Sequence, residues 1–269
     1  MPLIYGTAWK EDATARLVGV ALAAGFRAID TAHQRKHYVE AAVGEAVTGA
    51  IQTGLVERGD LWLQTKFTHR DGQDDRLPYD PRAAVAEQVR QSFEVSLEHL
   101  GTAWIDSYVL HGPSVRRGLA PADLEAWGAM EDLHLQGRAR ALGVSNVTRE
   151  QLELLLERAR IRPAAVQNRC YASRGWDCEV RSICLAQGMA YQGFSLLTAN
   201  RTVLQGSAFL AIAARRGVTP SQLAFRFALD VGMTPLTGTA DPGHMREDLA
   251  AASAAPLDAV DVRAIESMR

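Results

Sequence analysis

Three side chains far apart in the chain, Asp30, Lys66 and His111, close three short apolar runs, FRAID, LQTKF and SYVLH. Taken singly, each has an ordinary explanation: a helix-capping acid, a solvated strand end, a buried ring with its hydrogen bonds made. Taken together they have a chemistry. A lysine beside an aspartate forms an ion pair, and a cation beside a phenol favours the phenolate and lowers the tyrosine pKa. Such a tyrosine passes a proton to or from a substrate, while the histidine orients a carbonyl oxygen from the other side. A phenol is at hand. The stretch FRAIDTAHQRKHYVEAAVGEA, residues 26–46, sets His33, Arg35, Lys36, His37 and Tyr38 just beyond Asp30. Tyr38 is the only phenol of that loop, and His37 beside it is the competing acid.

For this set to meet, its three runs must be neighbouring strands whose ends share a face. The order of elements allows that. LIYGTAW is followed by Ala13, Leu17, Val20, Ala21 and Ala24 at helical spacing, stopping at Gly25. FRAID is followed by the helix YVEAAVGEAVTGAI, and DLWLQTKF by a helix that Asp80-Pro81 is predicted to open, with Val85, Val89, Phe93 and Leu97 as its stripe. IDSYVLHG precedes PADLEAWGAMEDLHLQGR, and ARALGVSN precedes REQLELLLERA, where Thr148 and Gln151 make a capping box. AAVQNRCY leads to WDCEVRSICLAQG, MAYQGFSLL to a helical region over 202–231, and MTPLTGT to GHMREDLAAA. Eight strand–helix units with strands apolar on both faces predict parallel pairing. They predict closure into a (β/α)8 barrel over residues 1–269 as one domain. An open doubly wound sheet would call for a GxGxxG turn after the first strand, and the turn reads GTAWKEDAT instead.

Composition narrows the function classes. The chain has 269 residues, 47% hydrophobic and 22% charged, the balance of an ordinary globular protein. A net charge of −2 with interspersed signs argues against nucleic acid or an anionic membrane as partner. No apolar run approaches the roughly 20 residues of a membrane span, and MPLIYGTAWKED lacks a basic-then-apolar leader. The expectation is a cytoplasmic protein, monomeric or weakly self-associating. Cys170, Cys178 and Cys184 fit neither a disulfide framework nor a zinc site. In a barrel, the C-terminal strand ends converge on the functional face. Here they carry Asp30, Lys66, His111, Ser145-Asn146, Gln167-Asn168, Ser195 and Thr237 to Thr239.

GFRAIDTA, LQTKF, DSYVLHGP, ALGVSN, VQNRCY and TGTADPGHMREDL, in this order and at this spacing, resemble the aldo-keto reductase superfamily over nearly the whole chain. The resemblance implies a barrel that binds NADP(H) or NAD(H) at its C-terminal face and reduces a small-molecule carbonyl substrate. It implies a catalytic tetrad, of which Asp30, Lys66 and His111 transfer directly. The fourth member does not, because the family usually reads DTAxxYGNExxVG and Arg35 stands in the tyrosine position. Two extra residues precede Val43-Gly44, which sets His37 in the tyrosine column and Tyr38 next to it. Tyr38 is expected to carry the acid role, within hydrogen-bond reach of Lys66 Nζ and acidified by it. His37 is expected to be neutral, to point away from the cofactor and to contact substrate.

For the cofactor the resemblance implies Gly6, Thr7 and Ala8 after the first strand, Asp30, and Ser145, Asn146 and Gln167 around the nicotinamide carboxamide. It implies Phe194 stacked on the nicotinamide, Ser195 and Leu196 along the pyrophosphate, and Thr237, Gly238, Thr239, His244 and Asp248 around the adenosine end. The family's PKSxxxxR grip on the 2′-phosphate is altered: Leu236 replaces the lysine, His244 stands near the arginine column, and Arg246 is the only permanent cation close by in the sequence. Preference between NADPH and NADH is therefore expected to be modest. The family's N-terminal hairpin and long C-terminal tail are expected to be missing, leaving an open pocket shaped by Trp9, the 68–79 loop, the segment after His111 and Trp176. Two other functions fit the same residues: a non-redox enzyme using the tetrad for elimination, isomerisation or cyclisation, and a cofactor-sensing binding protein.

Overall fold

The alternation of strands and helices closes on itself. The computed structural model describes residues 2–269 as a parallel barrel in which each strand pairs with the next and the last returns to the first. The strands are β1 Ile4–Gly6, β2 Ala28–Asp30, β3 Trp62–Phe67, β4 Ser107–Leu110, β5 Leu142–Ser145, β6 Ala165–Arg169, β7 Ala190–Phe194 and β8 Met233–Thr237. Around them run α1 Thr14–Ala24, α2 Glu40–Gln52, α3 Val85–Leu100, α4 Pro121–Leu135, α5 Arg149–Arg158 and α6 Cys178–Gln187. Then come α7 Arg201–Leu204, α8 Ser207–Arg216, α9 Pro220–Asp230, α10 Pro242–Ala251 and α11 Ala259–Ser267. Among the described residues no helix is long and apolar enough to cross a membrane.

The helix ends follow the sequence signals. Gly25 takes a left-handed conformation at φ 113° and closes α1 by donating to the carbonyls of Ala21 and Leu22. Thr148 Oγ1 accepts from the Gln151 amide while the Gln151 side chain reaches back, the reciprocal cap expected there. One boundary differs. Asp80-Pro81 does not open α3, because Asp80 Oδ1 accepts from Arg82 N at 2.9 Å and folds a separate turn. The helix begins four residues later, at Val85. Another expectation also fails. Trp176 shapes no pocket: with Asp177 it takes left-handed φ values, its ring is buried against Phe227, and its Nε1 donates to Ile265 O.

Apolar side chains fill the layer between strands and helices, with pairs such as Phe93 edge-on to Tyr108 at 4.9 Å between centroids. Each large side chain buried there contributes about 1.5–3 kcal/mol. Helices α2 and α3 approach so closely that a Cβ on Gly44 would lie within 1.8 Å of His99 O. Barrel register then sets the level of the polar residues. Asp30 pairs with Gln64, Gln64 with Ser107, and Gln167 with Gln192. Side chains two apart on a strand share a face, so Gln64 and Lys66 both point where Asp30 points.

Candidate active site

Asp30, Lys66 and His111 do meet. Lys66 is fully buried and donates to both Asp30 carboxylate oxygens at 2.7 Å and to Thr31 O at 2.7 Å. Asp30 Oδ1 also accepts from Gln64 Nε2 at 2.7 Å and Gln167 Nε2 at 3.0 Å. Gln192 Oε1 takes the remaining protons of those two amides, at 2.8 and 2.9 Å. Gln64 and Gln192 were not singled out in the sequence. Their signal was there for Gln64, two residues before Lys66 on the same strand face. A buried ion pair is costly unless its spare valences are met, and these glutamines meet them. Burial lowers the Lys66 pKa, and the Asp30 charge opposes that shift.

The loop after β2 brings Tyr38 over this pair. Gln34 O accepts from both His37 N and Tyr38 N at 3.0 Å, folding the extra residues into a tight turn. Gln34 Nε2 anchors the turn to Gly72 O at 2.5 Å. Tyr38 is then half-buried, its ring 5.3 Å from Lys66 Nζ and 6.0 Å from the His111 ring. The expected hydrogen bond from Lys66 to the phenol is not formed, because Asp30 and Thr31 take the ammonium protons. The expected acidification is reversed as well. Burial, and then the Asp30 charge, push the Tyr38 phenol up, so it holds its proton.

His37 lies at the cavity mouth with its ring 4.0 Å from that of Trp9, which is largely exposed. It lines the same cavity as Tyr38. Burial, and then the adjacent Lys36, hold its pKa down. Its Nδ1 donates to Gln34 Oε1 at 2.9 Å, which leaves Nε2 with a lone pair. Burial and the Lys66 charge, with a smaller effect from His37, hold the His111 ring neutral, far below its ordinary pKa.

These groups line a cavity of about 780 Å³ at the C-terminal strand ends. Gly6, Ala8 and Trp9 form one side of it, and Ser145, Asn146 and Gln167 another. Phe194, Ser195, Leu196 and Thr198 follow, then Leu236, Thr237, Gly238 and Thr239. Thr7 does not line the cavity; it is buried with its hydroxyl on Asp30 O at 2.9 Å. His244 and Asp248 also stand back from it on α10, His244 exposed and Asp248 buried. Lys10, not singled out in the sequence, reaches Gly238 O at 2.6 Å, so Arg246 is not the sole permanent cation at this end. Asn200 was also missed. It holds the 195–200 segment through Cys170 O at 2.9 Å, Leu196 O at 2.8 Å and the Ala172 amide at 2.7 Å.

The cavity suits a dinucleotide on two observations. Asn146 and Gln167 spend their amide protons on the protein, which leaves Oδ1 and Oε1 as acceptors for a carboxamide NH2. Asn146 and Ser195, at φ 55° and 58°, hold left-handed backbones at the cavity edge, a strain common at binding sites. Behind the site, His33, Glu40 and His99 bring ligand-type atoms within 4.8 Å of one another. Their contacts are those of a hydrogen-bond network. Glu40 accepts from Thr65, from Ser96 Oγ at 3.2 Å and from His99 Nδ1 at 3.1 Å, and His33 Nδ1 faces Ser92 O at 3.2 Å.

Asp248 supplies a pH prediction. Burial raises its pKa from 3.8 to about 6, against the Thr237 hydroxyl that donates to it at 2.6 Å. A carboxyl held above its unfolded value binds its proton more tightly when folded. Its contribution is full below pH 3.8 and lost as pH rises through about 6. Asp248→Asn keeps an acceptor for Thr237 and removes the titration. It should stabilise the fold by about 1–2 kcal/mol at pH 7.5. Urea unfolding at that pH and near pH 4 checks this, the gain shrinking toward zero at the lower value.

The family model described as Aldo/keto reductase family matches residues 2–269. Deoxymugineic acid synthase 1-A of Triticum aestivum is 31% identical over 261 residues, covering 89% of this chain and 78% of that protein. D-galacturonate reductase of Fragaria ananassa is 31% identical over 265 residues, covering 91% and 78%. Among solved structures, an aldo/keto reductase from Brucella melitensis superposes with a TM-score of 0.83 at 25% identity, over 100% of this chain and 93% of that one. An aldo-keto reductase solved in complex with NADPH also superposes at 0.83 and 25% identity, over 100% and 85%.

Proposed function

The chain belongs to the aldo/keto reductase family, and from that premise we propose that it reduces an aldehyde or ketone to an alcohol with NADPH or NADH as reductant. The observation that carries the reading is the approach of Tyr38 to His111, 6.0 Å between rings, on a cavity that Asp30 also lines, with Lys66 buried behind it on the Asp30 carboxylate. When bound, the dinucleotide would supply the reducing equivalent; Ser145, Asn146 and Gln167 would hold its carboxamide and Phe194 would offer a stacking face. Tyr38, a phenol that keeps its proton at neutral pH, donates to the carbonyl oxygen as charge builds there. Lys66 sits beneath it, held by Asp30, and its charge offsets part of what burial and Asp30 cost the phenolate that remains. His111, neutral, orients the same oxygen. We place the protein in a reducing, cytoplasmic setting, a reading supported by its three unpaired cysteines. The test is to mix the protein with NADPH or NADH and a panel of aldehydes and ketones, and follow the absorbance of the reduced nicotinamide. Binding of dinucleotide with no turnover across the panel would count against the reading.

The cofactor preference follows from β8. Leu236 is buried against Ile4, Ala28 and Phe194 and presents no charge where the family motif has lysine. One missing charge-assisted contact to a phosphate forfeits about 1.5–3 kcal/mol. Leu236→Lys should move the NADPH-to-NADH ratio of kcat/KM toward NADPH by roughly tenfold or more. A parent protein that already favours NADPH by many thousandfold would contradict this.

A further inference from the structure

Thr68 follows β3 directly, and its Oγ1 lies 2.7 Å from His111 Nδ1. Its neighbours leave the residue little freedom. Its carbonyl accepts from the Tyr79 hydroxyl at 2.8 Å. Its methyl is packed so tightly on Gly72 that a Cβ there would come within 2.6 Å of Cγ2. With the backbone and the methyl fixed, the hydroxyl faces the imidazole. That ring is neutral and carries a single proton, on one nitrogen or the other.

The two arrangements differ in what they satisfy. With the proton on Nδ1, the ring donates to Oγ1, and the Thr68 hydroxyl proton has no other protein acceptor among the described residues. Thr68 is buried, and a buried donor without an acceptor is costly. With the proton on Nε2, the Thr68 hydroxyl donates to the Nδ1 lone pair, and neither the hydroxyl nor Nδ1 is left without a partner. Nε2 has no protein partner and is open to the cavity that His111 lines.

We infer that Thr68 is a positioning residue that donates to His111 Nδ1 and so fixes the tautomer whose Nε2–H is offered to the substrate oxygen. Its consequence for rate rests on the carbonyl reduction proposed above; the tautomer itself does not. Without the Thr68 donor, the ring is free to rotate or to shift its proton to Nδ1. It would then present a lone pair to the carbonyl oxygen and repel it. Gly72 and Tyr79 enter the same device, because they hold Thr68.

The test is long-range proton–nitrogen NMR on protein labelled with 15N-histidine, with His111 identified by the signals lost in His111→Asn. The parent protein should show a neutral His111 protonated on Nε2, with Nδ1 shifted as a hydrogen-bonded acceptor. In Thr68→Val the Nδ1 signal should move to that of a free imine nitrogen. kcat/KM for an aldehyde should fall about tenfold with dinucleotide Kd unchanged, and Thr68→Ser should recover most of both. Nδ1 protonation in the parent, or His111 signals unmoved in Thr68→Val, overturns the inference. The parent spectrum alone decides the tautomer if the valine variant does not fold. Should no carbonyl be reduced at all, an Nε2-protonated ring that responds to Thr68 still upholds the positioning, while the proposed reaction falls.

Discussion

Tyr38→Phe is expected to lower carbonyl reduction by a factor on the order of 10³ while dinucleotide affinity stays within a few-fold of the parent. The substitution removes one oxygen and keeps the ring beside Lys66 and His111. No other group on this wall can replace the proton. His111 is neutral and Lys66 has its protons committed to Asp30 and Thr31. His37 gives its one ring proton to Gln34. His37→Ala should therefore cost far less, through lost packing on Trp9 at the cavity mouth. Steady-state kinetics of both variants with one aldehyde, beside fluorescence titration of the dinucleotide, rank the two residues. The reverse ranking would move the acid role to His37, and parent-like rates in both would remove this loop from the chemistry.

Lys66→Met is expected to cost both activity and stability. It leaves Asp30 buried, facing only the two glutamine amides. Breaking one half of a buried ion pair typically costs about 3–5 kcal/mol, which for a chain of this size lowers Tm by roughly 10 °C. The double variant Asp30→Asn, Lys66→Met removes both charges and keeps an acceptor for Gln64. It should regain much of that stability with none of the activity. Thermal unfolding of the three proteins checks the ordering. A single variant as stable as the parent would mean that the pair is not buried as described.

The residues differ in how far their sequence context disclosed them. Asp30, Lys66 and His111 were legible because each ends an apolar strand, and strand ends in a closed parallel barrel must converge. The eight strand–helix units were legible for the same reason of periodicity. The direction of the Tyr38 shift was not. It depends on how deeply the ring is buried and on where the Lys66 protons go, both set by tertiary packing. Asn200, Lys10 and Thr68 each have a partner 28 to 228 residues away in the chain, a distance no local pattern encodes. The start of α3 was misread because Asp80-Pro81 has the chemistry of a helix start and is used for a turn, a choice made by the loop that packs on Thr68. Trp176 looked like a pocket wall because an aromatic in a βα loop often is one, yet Phe227 and Ile265 bury it.

The most direct measurement of the central claim uses reduced dinucleotide carrying deuterium at both C4 positions, mixed with the protein and an aldehyde, with the product analysed by mass spectrometry. The parent protein should give an alcohol with one deuterium on the former carbonyl carbon, and Tyr38→Phe none above background. Product free of deuterium, or no product from a protein that binds the dinucleotide, would contradict it.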